Sequence, residues 1–240
     1  MSRNDISISV SLKMDIYGNA LLDFHQTGKA EILWLHNSYD EPEEMPIEVF
    51  FRDEDDMPEI ELKALNLCKG KVLDVGAGVG SHALLLEKKG LDVTAIDISE
   101  IAVQIMQERG VKKPLIQDFF KTTEKYDTLL FMMNGIGLTG TLPGFENLLE
   151  SAKNLLLPKG QLLFDSSDIS YLYDDLPMPT NQYFGEISYC YEYKKQKGSW
   201  FNWLYIDQTT MKRLIKQYGW NCKIIFHDDD DQYLAQLTHP

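Results

Sequence analysis

Cysteine is scarce in this chain. Cys68, Cys190 and Cys222 are three in 240 residues, far apart and without a CxxC pair. That count and spacing exclude a disulfide framework and a thiolate zinc site, and no His/Cys/carboxylate spacing suggests another metal centre. Long apolar runs are also missing, and the first fifteen residues alternate polar and apolar side chains. Neither a signal peptide nor a membrane span is therefore expected, and the default location is a reducing cytoplasm. Positive charge is short as well. Lys and Arg number 23 against 37 Asp and Glu, a formal net charge of −14, and the densest basic group is only Lys194, Lys195 and Lys197. Such a surface repels phosphate backbones, which argues against a nucleic-acid or anionic-membrane partner. No internal repeat or low-complexity tract is present.

Three textures divide what is there. Residues 1–57 form a polar, acidic N-terminal extension with acidic runs at 40–44 and 53–56, read as solvated loops. From Pro58 the pattern turns regular: Ile60, Ala64, Leu67 and Cys68 recur at helical spacing up to Gly70. Apolar strands at 71–75, 91–96, 114–117, 127–133 and 161–166 then alternate with amphipathic helices, the last of which presents Phe145, Leu148, Leu149, Ala152, Leu155 and Leu156. Strands alternating with amphipathic helices predict right-handed βαβ units on a doubly wound parallel sheet, an α/β domain spanning 58–240. Within it, 183–193 and 200–206 are aromatic-rich and predict an inserted β-hairpin lid over 183–206. Residues 222–226 and 233–237, joined by the acidic 228–231, predict a terminal hairpin closing the far edge of the sheet.

The chemistry centres on Asp74-Val75-Gly76-Ala77-Gly78-Val79-Gly80, where the first strand of the α/β domain meets a helix. Glycines there let backbone approach a ligand, and the helix start offers unpaired N–H groups. The dinucleotide fingerprint begun at Gly76 requires a third glycine at position 81, which is Ser81. Asp74 at the mouth of the turn would repel a pyrophosphate but suits an ammonium. The implied ligand is a nucleoside joined to an amino acid. Asp97, 21 residues after Gly76, ends the next strand, where a carboxylate can accept from both ribose hydroxyls or cap the helix beside Ser99. Asp118 and Phe119 follow the third strand, where they can meet an adenine or serve as turn and core residues.

These motifs resemble those of class I S-adenosylmethionine-dependent methyltransferases, over about residues 58–240. That resemblance implies a Rossmann-like sheet of seven strands with the last antiparallel. Phe51-Arg52, Met57-Pro58, Met133-Asn134-Gly135-x-Gly137, Asp165-Ser166-Ser167-Asp168-Ile169, Gly185-Glu186 and Trp203-Leu204-Tyr205 extend it to a poorly characterised bacterial subgroup. The resemblance implies that Asp74 and the turn Gly76, Ala77, Gly78 and Gly80 hold the methionine part of S-adenosyl-L-methionine. It implies that Asp97 takes the ribose, that Ile98, Asp118 and Phe119 meet the adenine, and that Met133 and Asn134 sit beside the sulfonium. The fourth-strand run lacks the Asn/Asp-Pro-Pro-aromatic signature of enzymes that methylate base amines.

The expected function is methyl transfer to a small molecule by in-line displacement, with the protein as monomer or homodimer. No catalytic residue transfers from the resemblance. Glu186, His82 and Asp165 are candidates for a base, His82 because a helix-start imidazole tends to a lowered pKa. Arg52, Asn134, Asp168, Glu186, Tyr189, Trp203 and Tyr205 are candidates for substrate contact, and the aromatics suit a neutral or cationic acceptor such as an amine. His25 and His36 are read as surface or packing residues. Alternatives are a non-catalytic binder of the cofactor or its demethylated product and a protein methyltransferase. A nicotinamide oxidoreductase is disfavoured by Ser81 and Asp74.

Overall fold

The computed structural model describes residues 15–175, 177–229 and 231–239. The first fourteen residues of the N-terminal extension and Asp230 of the terminal acidic turn lie outside them. Asp15 caps the first helix, α1 (Ile16–Thr27), by accepting the Gly18 N–H at 2.7 Å. Two short strands follow, β1 (Leu33–Asn37) and β2 (Glu43–Met45). Helix α2 (Glu59–Leu67) begins directly after Pro58 and opens the alternating part. That part runs β3 (Lys71–Val75), α3 (Ser81–Lys88), β4 (Asp92–Asp97), α4 (Glu100–Arg109), β5 (Pro114–Ile116), β6 (Tyr126–Phe131), α5 (Leu142–Leu155) and β7 (Leu156–Ser167). The chain closes with β8 (Glu186–Tyr193), β9 (Gln196–Lys197), β10 (Phe201–Leu204), α6 (Gln208–Gln217), β11 (Asn221–His227) and β12 (Gln232–Thr238).

One sheet has seven strands in the order β11-β12-β7-β6-β3-β4-β5. Neighbours from β7 to β5 are parallel, while β12 runs antiparallel to both β7 and β11. The final strand is thus inserted inside the sheet, and its hairpin partner β11 forms the edge. Alternation sorts the strand side chains between two cores. Leu73, Phe131 and Phe164 join α5 and α6 residues such as Phe145 and Leu214 on one face. Val72, Leu130 and Leu163 join Ala64 and Leu65 of α2 and Leu86 of α3 on the other. Asp74 and Asp165, two residues beyond Val72 and Leu163, therefore turn toward α2 and α3. Among the described residues no helix is long and apolar enough to cross a membrane.

A second, antiparallel sheet has the order β10-β8-β1-β2, with β9 also on β8. Its registers pair Leu35 with Tyr191, Leu33 with Met45 and Trp203 with Ile187. The aromatic hairpin and the N-terminal extension, read from sequence as separate pieces, therefore form one sheet. The acidic run at 40–44 is not all loop: Glu43 and Glu44 belong to β2. The run at 53–56 is an exposed 3-10 turn, as its polarity suggested.

Candidate functional site

The turn after β3 is built from backbone in an uncommon region. Gly76 and Gly78 take φ of 67° and 55°, and the N–H groups of Gly76 and Ala77 both reach the Ile96 carbonyl at 3.0 Å. A Cβ on Gly76 would stand in open space, and one on Gly78 would meet only the Tyr17 hydroxyl, at 3.6 Å. These two residues leave an open cradle. Gly80 serves packing instead, because a Cβ there would strike Val111 at 2.7 Å.

Asp97 closes one side of the cradle. Its Oδ2 accepts the Gly78 N–H and its Oδ1 the Ser99 N–H, each at 2.9 Å. Burial raises its pKa, while these backbone donors oppose the rise. Ser99 Oγ donates to Asp15 at 2.5 Å, tying α1 to the end of β4. The neighbouring Ile98 is 80% exposed, a large apolar face on the rim. Asp118 caps a 3-10 turn by accepting the Phe120 N–H at 3.0 Å. Phe119 does not line the rim as expected. It is 3% exposed and packs edge-on to Phe131 at 5.0 Å, whereas Phe120 is 38% exposed. Side chains at consecutive positions of that turn diverge, and the apolar core takes the first.

Beyond β6, Met133 and Asn134 adopt successive left-handed conformations, with φ of 58° and 54°. Strain of this kind persists only where surroundings fix it. Both oxygens of Asp165 accept the Asn134 N–H at 3.0 Å, Asn134 Nδ2 donates to the Leu204 carbonyl at 3.1 Å, and Ser166 Oγ donates to Asn134 Oδ1 at 2.9 Å. Asn134 thus joins β6 and β7 to the end of β10. Asp165, 1% exposed, also accepts from Gln232 at 3.1 Å, and burial pushes its pKa up to about 6. It is a strut here, not a free base.

A chain of buried charges runs under the turn. Arg52 Nη2 lies 2.5 Å from Glu61 Oε1, and Glu61 Oε2 lies 2.8 Å from His82 Nε2. Burial alone would lower the His82 pKa, but the Glu61 hydrogen bond and the charges of Asp74, Glu61 and Asp165 raise it. The lowered pKa expected of a helix-start histidine is therefore reversed, because those carboxylates outweigh desolvation and the helix terminus. Arg52 is likewise engaged by Glu61. Asp74 is 2% exposed, and its Oδ2 is buried without a hydrogen-bond partner. Burial and the charge of Asp97 push the Asp74 pKa up to about 6, against the opposing pull of His82 and the Ala83 backbone N–H.

Aromatic residues of the antiparallel sheet and α1 cluster near this edge. Tyr17 stacks on Tyr191 at 5.4 Å, Tyr189 and Tyr205 share a hydroxyl contact at 3.4 Å, and Tyr39 donates to Glu43 at 2.7 Å. The Trp203 indole lies on Gly137, where a Cβ would overlap it. Glu186 and Asp168 have local duties. Glu186 accepts the Leu142 N–H at the start of α5, at 2.8 Å, and Asp168 accepts the Ser170 N–H at 2.9 Å. Sequence reasoning missed Tyr17, Tyr39, Glu43 and Glu61. Glu61 alone carried a signal, since it shares a helix face with the buried Ala64 and Leu65.

The methyltransferase-domain family matches residues 48–223. An S-adenosylmethionine-dependent methyltransferase from Bacteroides fragilis, solved in complex with S-adenosyl-L-homocysteine, superposes with a TM-score of 0.87 at 37% identity over 95% of both chains. This chain belongs to the methyltransferase family. The ubiquinone biosynthesis O-methyltransferase of Actinobacillus pleuropneumoniae serotype 7 is 29% identical over 120 residues, 45% of this chain and 50% of that one. The chain spans about half the length of the curated relatives it matches. The CcbJ methyltransferase of Streptomyces caelestis shares the fold, with a TM-score of 0.59 at 13% identity over 79% of this chain and 99% of that one.

The residues present fit the S-adenosylmethionine of such a methyltransferase. The orphaned Asp74 oxygen can accept an ammonium, the open glycine cradle admits backbone approach, and Ile98 offers an apolar face for a base. The carboxylates of Asp74 and Asp97 beside the turn oppose a phosphate there, while the Arg109 guanidinium is engaged by the Val79 carbonyl at 2.7 Å and Ser81 Oγ at 3.1 Å.

Proposed function

We propose that this protein transfers a methyl group from S-adenosyl-L-methionine to a small-molecule acceptor, with residues 1–57 and 183–206 acting together as a cap on the domain 58–240. The observation that carries the reading is the juxtaposition of the open glycine cradle with the aromatic sheet, seen where the Tyr17 hydroxyl stands 3.6 Å from a Cβ position on Gly78. The cofactor supplies an activated methyl on a cationic sulfur. Asp74 would hold its amino group, Gly76 to Gly80 its methionine backbone, Asp97 its ribose, and Ile98 and Asp118 its adenine. Asn134, locked by Asp165 and Ser166, stiffens the loop beside the sulfonium.

The cap's task is alignment and exclusion of water, effects that contribute up to about 7–11 kcal/mol in intramolecular reference reactions. His82, Asp165 and Glu186 are each engaged in another bond, so none of them serves as the base in this scheme. That favours an acceptor which presents a lone pair in its neutral form. The ring faces of Tyr189, Tyr191 and Trp203 suit an amine that docks as its ammonium and gives up a proton to water before its lone pair attacks the methyl. The same surface charge of −14 supports a soluble acceptor in the cytoplasm over nucleic acid or membrane. The oligomeric form in this scheme is a monomer or homodimer.

The test is incubation of the full chain with S-adenosyl-L-methionine and a panel of small amines, phenols and carboxylates, with release of S-adenosylhomocysteine followed by mass spectrometry. Acceptor-dependent release is the expected result. Tight cofactor binding with no release across the panel would instead favour the non-catalytic binder.

A further inference from the structure

Glu61 is the hinge point of a charge chain that no cofactor contact explains. It lies on α2, 4% exposed, and receives one cation from each side. Arg52 comes from the segment between β2 and α2, and His82 from α3 directly behind the glycine turn. The groups that face this cluster can be named element by element. Asp74 approaches from β3, Asp165 from β7 and Asp97 from β4, and the thiol of Cys68 stands near Asp74 at the end of α2. With Arg52 and His82 charged there are two cations, against four carboxylates in Glu61, Asp74, Asp165 and Asp97. The interior is thus short of positive charge, and both Asp74 Oδ2 and Arg52 Nε are buried without a hydrogen-bond partner.

We propose that Glu61 is a positioning residue for the cofactor: binding Arg52 through one oxygen and His82 through the other, it fixes the cation beside Asp74 and keeps Asp74 ready to receive an ammonium. Desolvation drives a buried carboxyl toward its neutral, protonated form, which cannot pair with an ammonium. The imidazolium opposes this only while Glu61 secures it. Arg52 stops the Glu61 charge from being a second unpaired anion in the same interior. The cap segment that carries Arg52 is thereby coupled to cofactor affinity without touching the cofactor.

The proposal rests on Asp74 holding the cofactor's amino group. It is tested by calorimetric titration of the full chain with S-adenosylhomocysteine between pH 5.5 and 8.5, alongside NMR titration of the His82 imidazole. Wild-type affinity should fall as pH drops through about 6, where Asp74 takes up a proton. In Glu61→Gln, His82 should lose its proton at lower pH. The fall in affinity should then move up by about one pH unit, leaving binding about threefold weaker near pH 6.5. His82→Asn removes the cation directly and should move the profile the same way, which keeps the test available if Glu61→Gln is too unstable to titrate. Glu61→Asp should restore part of the wild-type profile. An unchanged pH profile in folded Glu61→Gln and His82→Asn would overturn the proposal. Wild-type protein that bound no S-adenosylhomocysteine at any pH would overturn the cofactor reading, and the proposal with it.

Discussion

The Glu186 carboxylate accepts the backbone N–H of Leu142 at 2.8 Å, so the first residue of β8 caps the first turn of α5. A side chain that sequence position suggested for catalysis is committed to joining the aromatic sheet to the α/β core. Glu186→Gln retains an acceptor oxygen and should leave stability nearly unchanged. Glu186→Ala should cost about 1 kcal/mol, the usual worth of such a cap, and lower the melting temperature by about 2–4 °C. Thermal denaturation of both variants checks this, and S-adenosylhomocysteine affinity should be unaffected in each.

Asp97 holds the Gly78 N–H and would share its oxygens with a ribose. Asp97→Ala removes a charged acceptor from the turn as well as the ribose contact. Loss of a hydrogen bond to a charged group is worth about 1.5–3 kcal/mol, so S-adenosylhomocysteine affinity should fall by about 10- to 100-fold in calorimetry. Wild-type affinity in the folded variant would remove Asp97 from the site.

Asp74 and Asp165 have their pKa raised by burial to about 6 each, above the unfolded carboxyl value of about 3.9. The native state therefore binds the extra protons, and their contribution to stability falls as pH rises from about 4 to 6 and stays reduced above it. Asp74→Asn lifts one such burden. It should stabilise the unliganded protein by about 3 kcal/mol at pH 8 and by little at pH 4, while weakening cofactor binding. Denaturant melts at the two pH values, with and without S-adenosylhomocysteine, measure both effects.

Gly137 lies under the Trp203 indole. Gly137→Ala should push Trp203 and the β8–β10 hairpin away from the carboxyl edge. The expected signature is reduced acceptor-dependent turnover at unchanged S-adenosylhomocysteine affinity. Wild-type turnover would show that this face of the cap takes no part in acceptor binding.

The parts of the site that were legible in the sequence share a local cause. The strand 71–75, the glycine turn and Asp97 are written within short stretches whose period and composition follow directly from the βαβ geometry. Met133 and Asn134 enter through the family resemblance, not through any local pattern. Of the two readings open for Phe119, adenine contact or core, its buried ring takes the core one, and a 3-10 turn gives no periodicity that separates it from Phe120. The bond from Leu142 to Glu186 left no trace in the sequence because the two lie 44 positions apart. Arg52 and His82 are candidates singly and Glu61 is not, because a charge chain assembled from the segment before α2 and two helices leaves no spacing to read. The acidic stretch at 40–44 hid β2, since three residues with Glu at two of them lack the pattern of a strand until β1 is beside them.

The pairing of β1 with β8 also imposes an order in time. His36 and Glu192 meet across it from 156 positions apart. During synthesis at about 5–20 residues per second, the earlier strand waits about 8–30 s for its partner to be made. The strands from β3 to β7 have all been made by then, while β1 still lacks its partner. β1 therefore cannot take its place until β8 has been made, long after the turn that follows β3.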